Sequence, residues 1–261
     1  MKTLNRIVAV AAIALAAGAA VAGPADYTVV NEPASNNQTH DKLLAAMYGG
    51  TFATGSVING ATNMKVGALQ NTTFNSYSNG AITATRIMDR GGDGLFQLIT
   101  GNNNDDDQSW SDGVVNLKVT SKFASDTHTF GWVDKTNGNT KNALLDTSSG
   151  ATVNVKLSSD FKWFLDTSSE NNLTSVEQDN KGVGTFKNNF FDQMVSYEIT
   201  GVDGQKRYVL FWEDRVNGQA YDDYDYNDAV IEIVVVPLPP AAMAGGVMLL
   251  GVAALRRRFA R

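Results

Sequence analysis

Between residues 115 and 200 three runs of the chain are written in a period of two. Val115, Leu117, Val119 and Phe123 alternate with Asn116, Lys118, Thr120 and Lys122. Val153, Val155 and Leu157 alternate with Asn154 and Lys156, and Val195, Tyr197 and Ile199 with Ser196, Glu198 and Thr200. Extended chain points successive side chains to opposite faces, so each run makes one apolar and one polar face of a strand. Thr127 to Val133, Phe161 to Leu165, Arg207 to Trp212 and Ala229 to Val236 are further β-prone runs rich in Val, Ile and aromatic residues. Turn residues punctuate them: Gly91-Gly92-Asp93-Gly94, Gly101 to Asp107, Asn137-Gly138-Asn139 and Asp203-Gly204. Only Lys42 to Tyr48 reads as a helix. Leu43, Leu44 and Met47 share one face, Asp41 is its expected cap and Gly49-Gly50 stops it. Many short strands without βαβ alternation predict an all-β fold, an antiparallel β-sandwich of jelly-roll type, in one domain over residues 23–236.

The two ends read differently from this domain. Lys2 and Arg6 precede an apolar run from Ile7 to Ala17, and Ala20-Val21-Ala22 is the small-x-small pattern a signal peptidase accepts. Residues 1–22 are thus expected to be a signal helix removed between Ala22 and Gly23. At the other end Val236-Pro237-Leu238-Pro239-Pro240 precedes an uncharged stretch, Ala241 to Leu255, and then Arg256-Arg257-Arg258. As a helix that stretch is roughly 22 Å long, against a hydrocarbon core of ~30 Å. It would make a marginal single transmembrane helix, adequate for a transient anchor, and the arginines predict a cytoplasmic C-terminus.

Six of the 21 basic residues and none of the 27 acids lie in those ends, so residues 23–236 carry a formal −12, against −6 for the whole chain. Nucleic-acid binding needs a basic footprint and is excluded. The chain has no cysteine, which excludes disulfides, thiolate metal sites and cysteine nucleophiles, and its two histidines are too few for a three-histidine zinc site. Of the acids, 21 are Asp and six are Glu. Asp favours turns and loop-borne cation sites.

The order Pro motif, membrane segment, Arg cluster resembles the C-terminal sorting signal of the PEP-CTERM class in its VPLPA-type variant. Val236, Pro237, Leu238, Pro239, Arg256, Arg257 and Arg258 carry the resemblance. It implies recognition by an exosortase, a membrane transpeptidase-like enzyme, in a Gram-negative bacterium. Pro240 intervenes where the common form has Ala, which leaves the cleavage point open. An ordinary, uncleaved single-span anchor is the other reading of residues 237–261.

The densest chemistry is Glu213-Asp214 followed by Asp222-Asp223-Tyr224-Asp225-Tyr226-Asn227-Asp228. Carboxylates so crowded repel one another unless a cation sits among them, and hard oxygen ligands on a loop are what Ca²⁺ takes. Asp223-x-Asp225-x-Asn227 matches the start of an EF-hand loop. Position six is Asp228 in place of Gly and position twelve is Val234 in place of Glu, so an EF-hand is rejected. Two readings remain: a calcium loop using Glu213, Asp214, Asp223, Asp225, Asn227 and Asp228, or a solvated turn tied by Asx hydrogen bonds. In extended chain 223, 225 and 227 share a side, so Asp228 has to turn inward at a bulge or stand behind the ligands. Phe211-Trp212-Glu213-Asp214 with Asp225-Tyr226-Asn227-Asp228 is also similar to the end of the DUF4114 domain, here residues 207–236. That resemblance implies a β fold on a secreted protein and no activity.

Other candidates are weaker. Asn102 to Asp107 is a cation loop or a disordered polar loop. Trp110, Trp132, Trp163 and Trp212 make a sugar-stacking face or, for the three inside strand runs, core. His40 stands before the helix and is expected at the surface; His128 is expected to be structural. No nucleophile elbow, P-loop or HExxH is present. The sequence thus points to a non-enzymatic protein of the cell surface or extracellular matrix, associated with exopolysaccharide or biofilm and stabilised by calcium. Its expected partners are signal peptidase, exosortase, the membrane and extracellular polysaccharide. The alternatives are a calcium-dependent carbohydrate-binding module, marked by an exposed row of aromatics, and a glycoside hydrolase, marked by paired carboxylates about 5–9 Å apart.

Overall fold

The fold is described by a computed structural model, over residues 38–56, 74–87, 110, 113–148, 150–157, 161–168, 172–176, 179–184, 193–216 and 226–236. It is mostly β, with one short helix, α1 (His40–Tyr48), and two antiparallel sheets. The larger sheet contains β1 (Ala53–Thr54), β2 (Ser76–Ser78), β3 (Thr83–Arg86), β4 (Gly113–Ser121), β7 (Thr152–Leu157), β10 (Met194–Thr200), β11 (Arg207–Trp212) and β12 (Ala229–Val235). Their order is β1-β2-β3-β10-β11-β12-β4-β7. The smaller sheet contains β5 (His128–Asp134), β6 (Thr140–Asp146), β8 (Phe161–Thr167) and β9 (Asn172–Thr174), in the order β6-β5-β8-β9. All of these strands belong to one compact unit, Gly23–Val235; of the other unit, 1–22 with 236–261, only Val236 is described.

Strand alternation in the central strands feeds two apolar clusters. On β11, Leu210 and Trp212 enter a cluster shared with Phe130, Trp163 and Leu165 of the smaller sheet, so this face of the larger sheet is buried against the smaller one. Val209 and Phe211 point the other way, into a cluster with Leu43, Leu44 and Met47 of α1. β12 behaves alike, with Ile231 and Ile233 on one side and Val230 on the other. Both faces of these strands are therefore apolar, which explains why their sequences read as runs of Val, Ile and aromatics. Trp132, Trp163 and Trp212 are core, and Trp110 is half-buried with its ring edge-on to Trp163 and Tyr208.

Three local expectations are corrected. The helix begins at His40, with Thr39 as its N-cap, and Asp41 lies within the first turn. His40 is fully buried: its ring stacks on Phe211 at 3.9 Å between centroids. Phe123 does not continue the face of Val115, Leu117 and Val119. β4 ends at Ser121, its pairing with β12 shifts register between Val230 and Ile231, and Phe123 packs on the α1 side. By the same reversal Lys122, expected to face solvent, is buried. Five strands had no clear sequence signal: β1, β2, β3, β6 and β9 are short or polar and lie towards the sheet edges. Gly131 has a steric reason: a Cβ there would run into the Asn142 carbonyl and come within 2.6 Å of the Phe164 ring.

Among the described residues no helix is long and apolar enough to cross a membrane. The leader residues Ala20, Ala22 and Gly23 lie outside the described residues, as do Pro237, Leu238, Pro239 and Arg256, Arg257 and Arg258 of the tail. Val236 follows β12 directly and is half-buried.

Candidate metal centre

β11 and β12 pair antiparallel, with Trp212 opposite Ala229 as the last matched residues. The chain on either side of that pair therefore delivers Glu213 and Asp214 from one strand end and Asp228 from the other. Their carboxylate oxygens come within 4.8 Å of one another, and all three side chains are buried. Backbone bonds fix the positions: Glu213 N donates to Gln193 O at 3.0 Å, and Phe123 N to Asp228 O at 3.3 Å. Asp214 N donates to Asp228 Oδ2 at 2.8 Å, which ties the two strand ends together through a carboxylate.

The chain bends just before Asp228. Tyr226 has φ +54°, the left-handed region that side chains with a Cβ seldom adopt. It is held there from α1: His40 Nε2 donates to the Tyr226 carbonyl at 3.1 Å, and the Tyr197 hydroxyl donates to His40 Nδ1 at 3.1 Å. Burial pushes the Tyr197 hydroxyl up to about 12, so it keeps its proton and serves as that donor. Asn227 is fully buried and its Nδ2 donates to Gln38 O at 2.9 Å. The inward turn of Asp228 is thus made by a left-handed residue two positions earlier.

Hydrogen-bond donors reach the cluster from the chain around it and from the second sheet. His128, at the start of β5, donates Nε2 to Asp214 Oδ2 at 2.9 Å, and its Nδ1 makes no hydrogen bond among the described residues. Arg215 Nε lies 3.4 Å from Asp214 Oδ1, and Arg215 Nη2 lies 3.0 Å from Asp126 Oδ2. Lys122 is spent on a backbone carbonyl, donating Nζ to Ala124 O at 2.7 Å. Burial lowers its pKa, and Asp214, Asp126 and Asp228 offset this only in part. Glu213, Asp214, Asp228 and Asp126 thus bring four carboxylates to one end of the strand pair, with Lys122 and Arg215 beside them. Crowded buried carboxylates repel one another, and a bound cation or a shared proton would relieve that repulsion.

Of the six candidate ligands, the structure brings together Glu213, Asp214 and Asp228, with Asn227 next to them in the chain. Asp223 and Asp225 lie outside the described residues, as does the Asn102 to Asp107 run. His128, Lys122, Asp126 and Arg215 were not read as parts of the site. Only Arg215 had a signal, its adjacency to Asp214; the other three arrive from chain some ninety residues earlier. Comparison with protein-family models, with curated proteins and with solved structures finds no match to this chain.

Proposed function

We propose that the chain is a non-enzymatic, exported protein of the cell surface or extracellular matrix whose β-sandwich, jelly-roll-like domain is locked by one calcium ion. The observation that carries this reading is the buried triad Glu213, Asp214 and Asp228, whose oxygens lie within 4.8 Å of one another. Three carboxylates supply hard oxygen donors, and the remaining ligands of a six- to eight-coordinate ion come from Asn227, Asp223, Asp225, backbone carbonyls or water. The ion pins the ends of β11 and β12, and through Asp214 and His128 it engages the second sheet. A protein without cysteines gains from such a clip the cross-link that disulfides give other exported domains.

Export rests on the leader and tail motifs. In this reading signal peptidase cuts after Ala22, the tail is a transient transmembrane anchor, and an exosortase of a Gram-negative bacterium acts near Pro237 to Pro240. Neutral residues in place of Arg256, Arg257 and Arg258 leave uncleaved precursor in the membrane; mature protein of unchanged mass and yield overturns the sorting reading. A carbohydrate-binding module has less support, because no aromatic side chain is exposed among the described residues. The burial of the carboxylates likewise speaks against a hydrolase, since a substrate must reach its acid and base.

The site itself is tested with terbium as a calcium surrogate. Trp212 adjoins Glu213 and sensitises a lanthanide bound there. Terbium emission on excitation of tryptophan is expected to saturate at one ion per chain, to be displaced by calcium, and to be lost in Asp228→Asn. Emission that is absent in the wild type, or equal in the variant, overturns the site.

A further inference from the structure

We propose that Asn137 is a site of spontaneous deamidation and backbone isomerisation, and that the fold protects the equivalent Asn79 from it. The two residues are the described Asn–Gly steps of the chain; Asn59–Gly60 and Asn217–Gly218 lie outside the described residues. The reaction is the same at each. The backbone nitrogen of the glycine attacks the asparagine Cγ, a C–N bond forms, the Cγ–Nδ2 bond breaks and ammonia leaves. Water then opens the cyclic imide at either carbonyl, giving aspartate or isoaspartate, with no change of oxidation state. Glycine permits the attack because no Cβ hinders its nitrogen or restricts its backbone.

At Asn79 both reacting groups are occupied. Its Oδ1 accepts from Ala81 N at 3.1 Å and Ile82 N at 2.8 Å, and its Nδ2 donates to Gly49 O at 3.0 Å. The attacking nitrogen, Gly80 N, is itself bonded to Ser78 Oγ at 3.1 Å. At Asn137, on the exposed turn between β5 and β6, neither group is held. Among the described residues the Asn137 amide makes no hydrogen bond, and nor does Gly138 N. The turn is held around them: Asp134 Oδ1 accepts from Asn137 N at 3.1 Å, and Thr140 N donates to Asn137 O at 3.3 Å. Gly138 has φ +64° and Asn139 φ +59°, and residues 135–140 are all exposed, so water reaches the turn. Conversion adds a negative charge beside Asp134, and isomerisation adds one backbone atom to a tight hairpin. The modification is independent of the calcium reading, because His128 and Asp134 stand at opposite ends of β5, roughly 20 Å apart.

The test is peptide mapping by mass spectrometry after the native full chain is aged in mildly alkaline buffer, with a parallel sample in concentrated urea. In the native chain Asn137 is expected to convert at least about tenfold faster than Asn79, since several hydrogen bonds must break before Asn79 reacts. In urea the gap closes, and Ser78→Ala raises the native rate at Asn79 by freeing Gly80 N. Equal native rates at the two steps, or an Asn137 that resists in the native chain and converts in urea, overturn the proposal.

Discussion

At one end of the β11–β12 pair Glu232 meets Arg207; at the other, Glu213, Asp214 and Asp228 meet one another. The first end is closed by the chain's own cation. Arg207 Nη1 donates to Glu232 Oε1 at 2.9 Å, its Nη2 donates to Asp203 Oδ2 at 2.6 Å, and the Tyr48 hydroxyl adds a bond to Glu232 at 2.8 Å. Burial and the Glu232 charge both raise the pKa of Tyr48, so its proton stays on that bond. At the second end three buried carboxylates lie within 4.8 Å of one another. Lys122 is turned to a carbonyl, Arg215 is shared with Asp126, and His128 donates to Asp214. One pair of strands thus holds a buried ion pair at one end and, at the other, a carboxylate cluster that could hold a metal. A buried carboxylate with its own Arg needs no metal; three buried together could hold one.

Breaking the first end should have the largest effect. Arg207→Met strands Glu232 in the core and should destabilise the protein by about 3–5 kcal/mol. Denaturant unfolding should give the same loss with calcium and with chelator, because this end needs no ion. The second end should respond differently. Asp214→Asn removes one of three repelling carboxylates, so in chelator its stability should stay within about 1 kcal/mol of the parent. In calcium it should forfeit the stabilisation of a bound ion, about 2.7 kcal/mol at 100-fold over Kd. A variant equally weakened in both buffers would mean that Asp214 serves only as the partner of His128.

The smallest effect concerns acid. The hydrogen bond from Arg207 holds the Asp203 carboxyl below its ordinary value. The native state therefore binds fewer protons than the unfolded one in the carboxylate range, and stability rises with pH there. The contribution is complete above the unfolded value, about 3.9, and is lost as pH falls through the lower native value. Asp203→Asn should flatten that part of the stability–pH curve and cost about 0.5–1 kcal/mol at neutral pH. An unchanged acid limb would show that Asp203 adds nothing to the closed end.

The sequence shows the central strands and one half of the site, for the same reason. Arg207–Trp212 and Ala229–Val235 are dense in β-branched and aromatic residues because both faces are buried, and the carboxylates follow directly at their ends. β6 and β7 are edge strands, yet Val153 and Val155 alternate cleanly while Thr140–Asp146 does not, and only β7 was legible. His40 illustrates the limit. Nothing in Thr39-His40-Asp41 announces a side chain that stacks on Phe211 and holds the carbonyl of Tyr226. Lys122 illustrates another, since its burial depends on a register shift that no local pattern encodes. Long-range partners of this kind are fixed by topology, which one strand's periodicity does not contain.

The central claim, that the second end is completed by a cation, is tested most directly by thermal unfolding of the wild type and Asp228→Asn in excess calcium and in chelator. Chelation should lower the wild-type midpoint by several degrees, as loss of a site worth about 2–3 kcal/mol requires for a domain of this size. The variant should melt at one temperature in both buffers. A wild-type midpoint that chelation leaves unmoved would contradict the account, and the acidic strand ends would then be a neutralised turn without an ion.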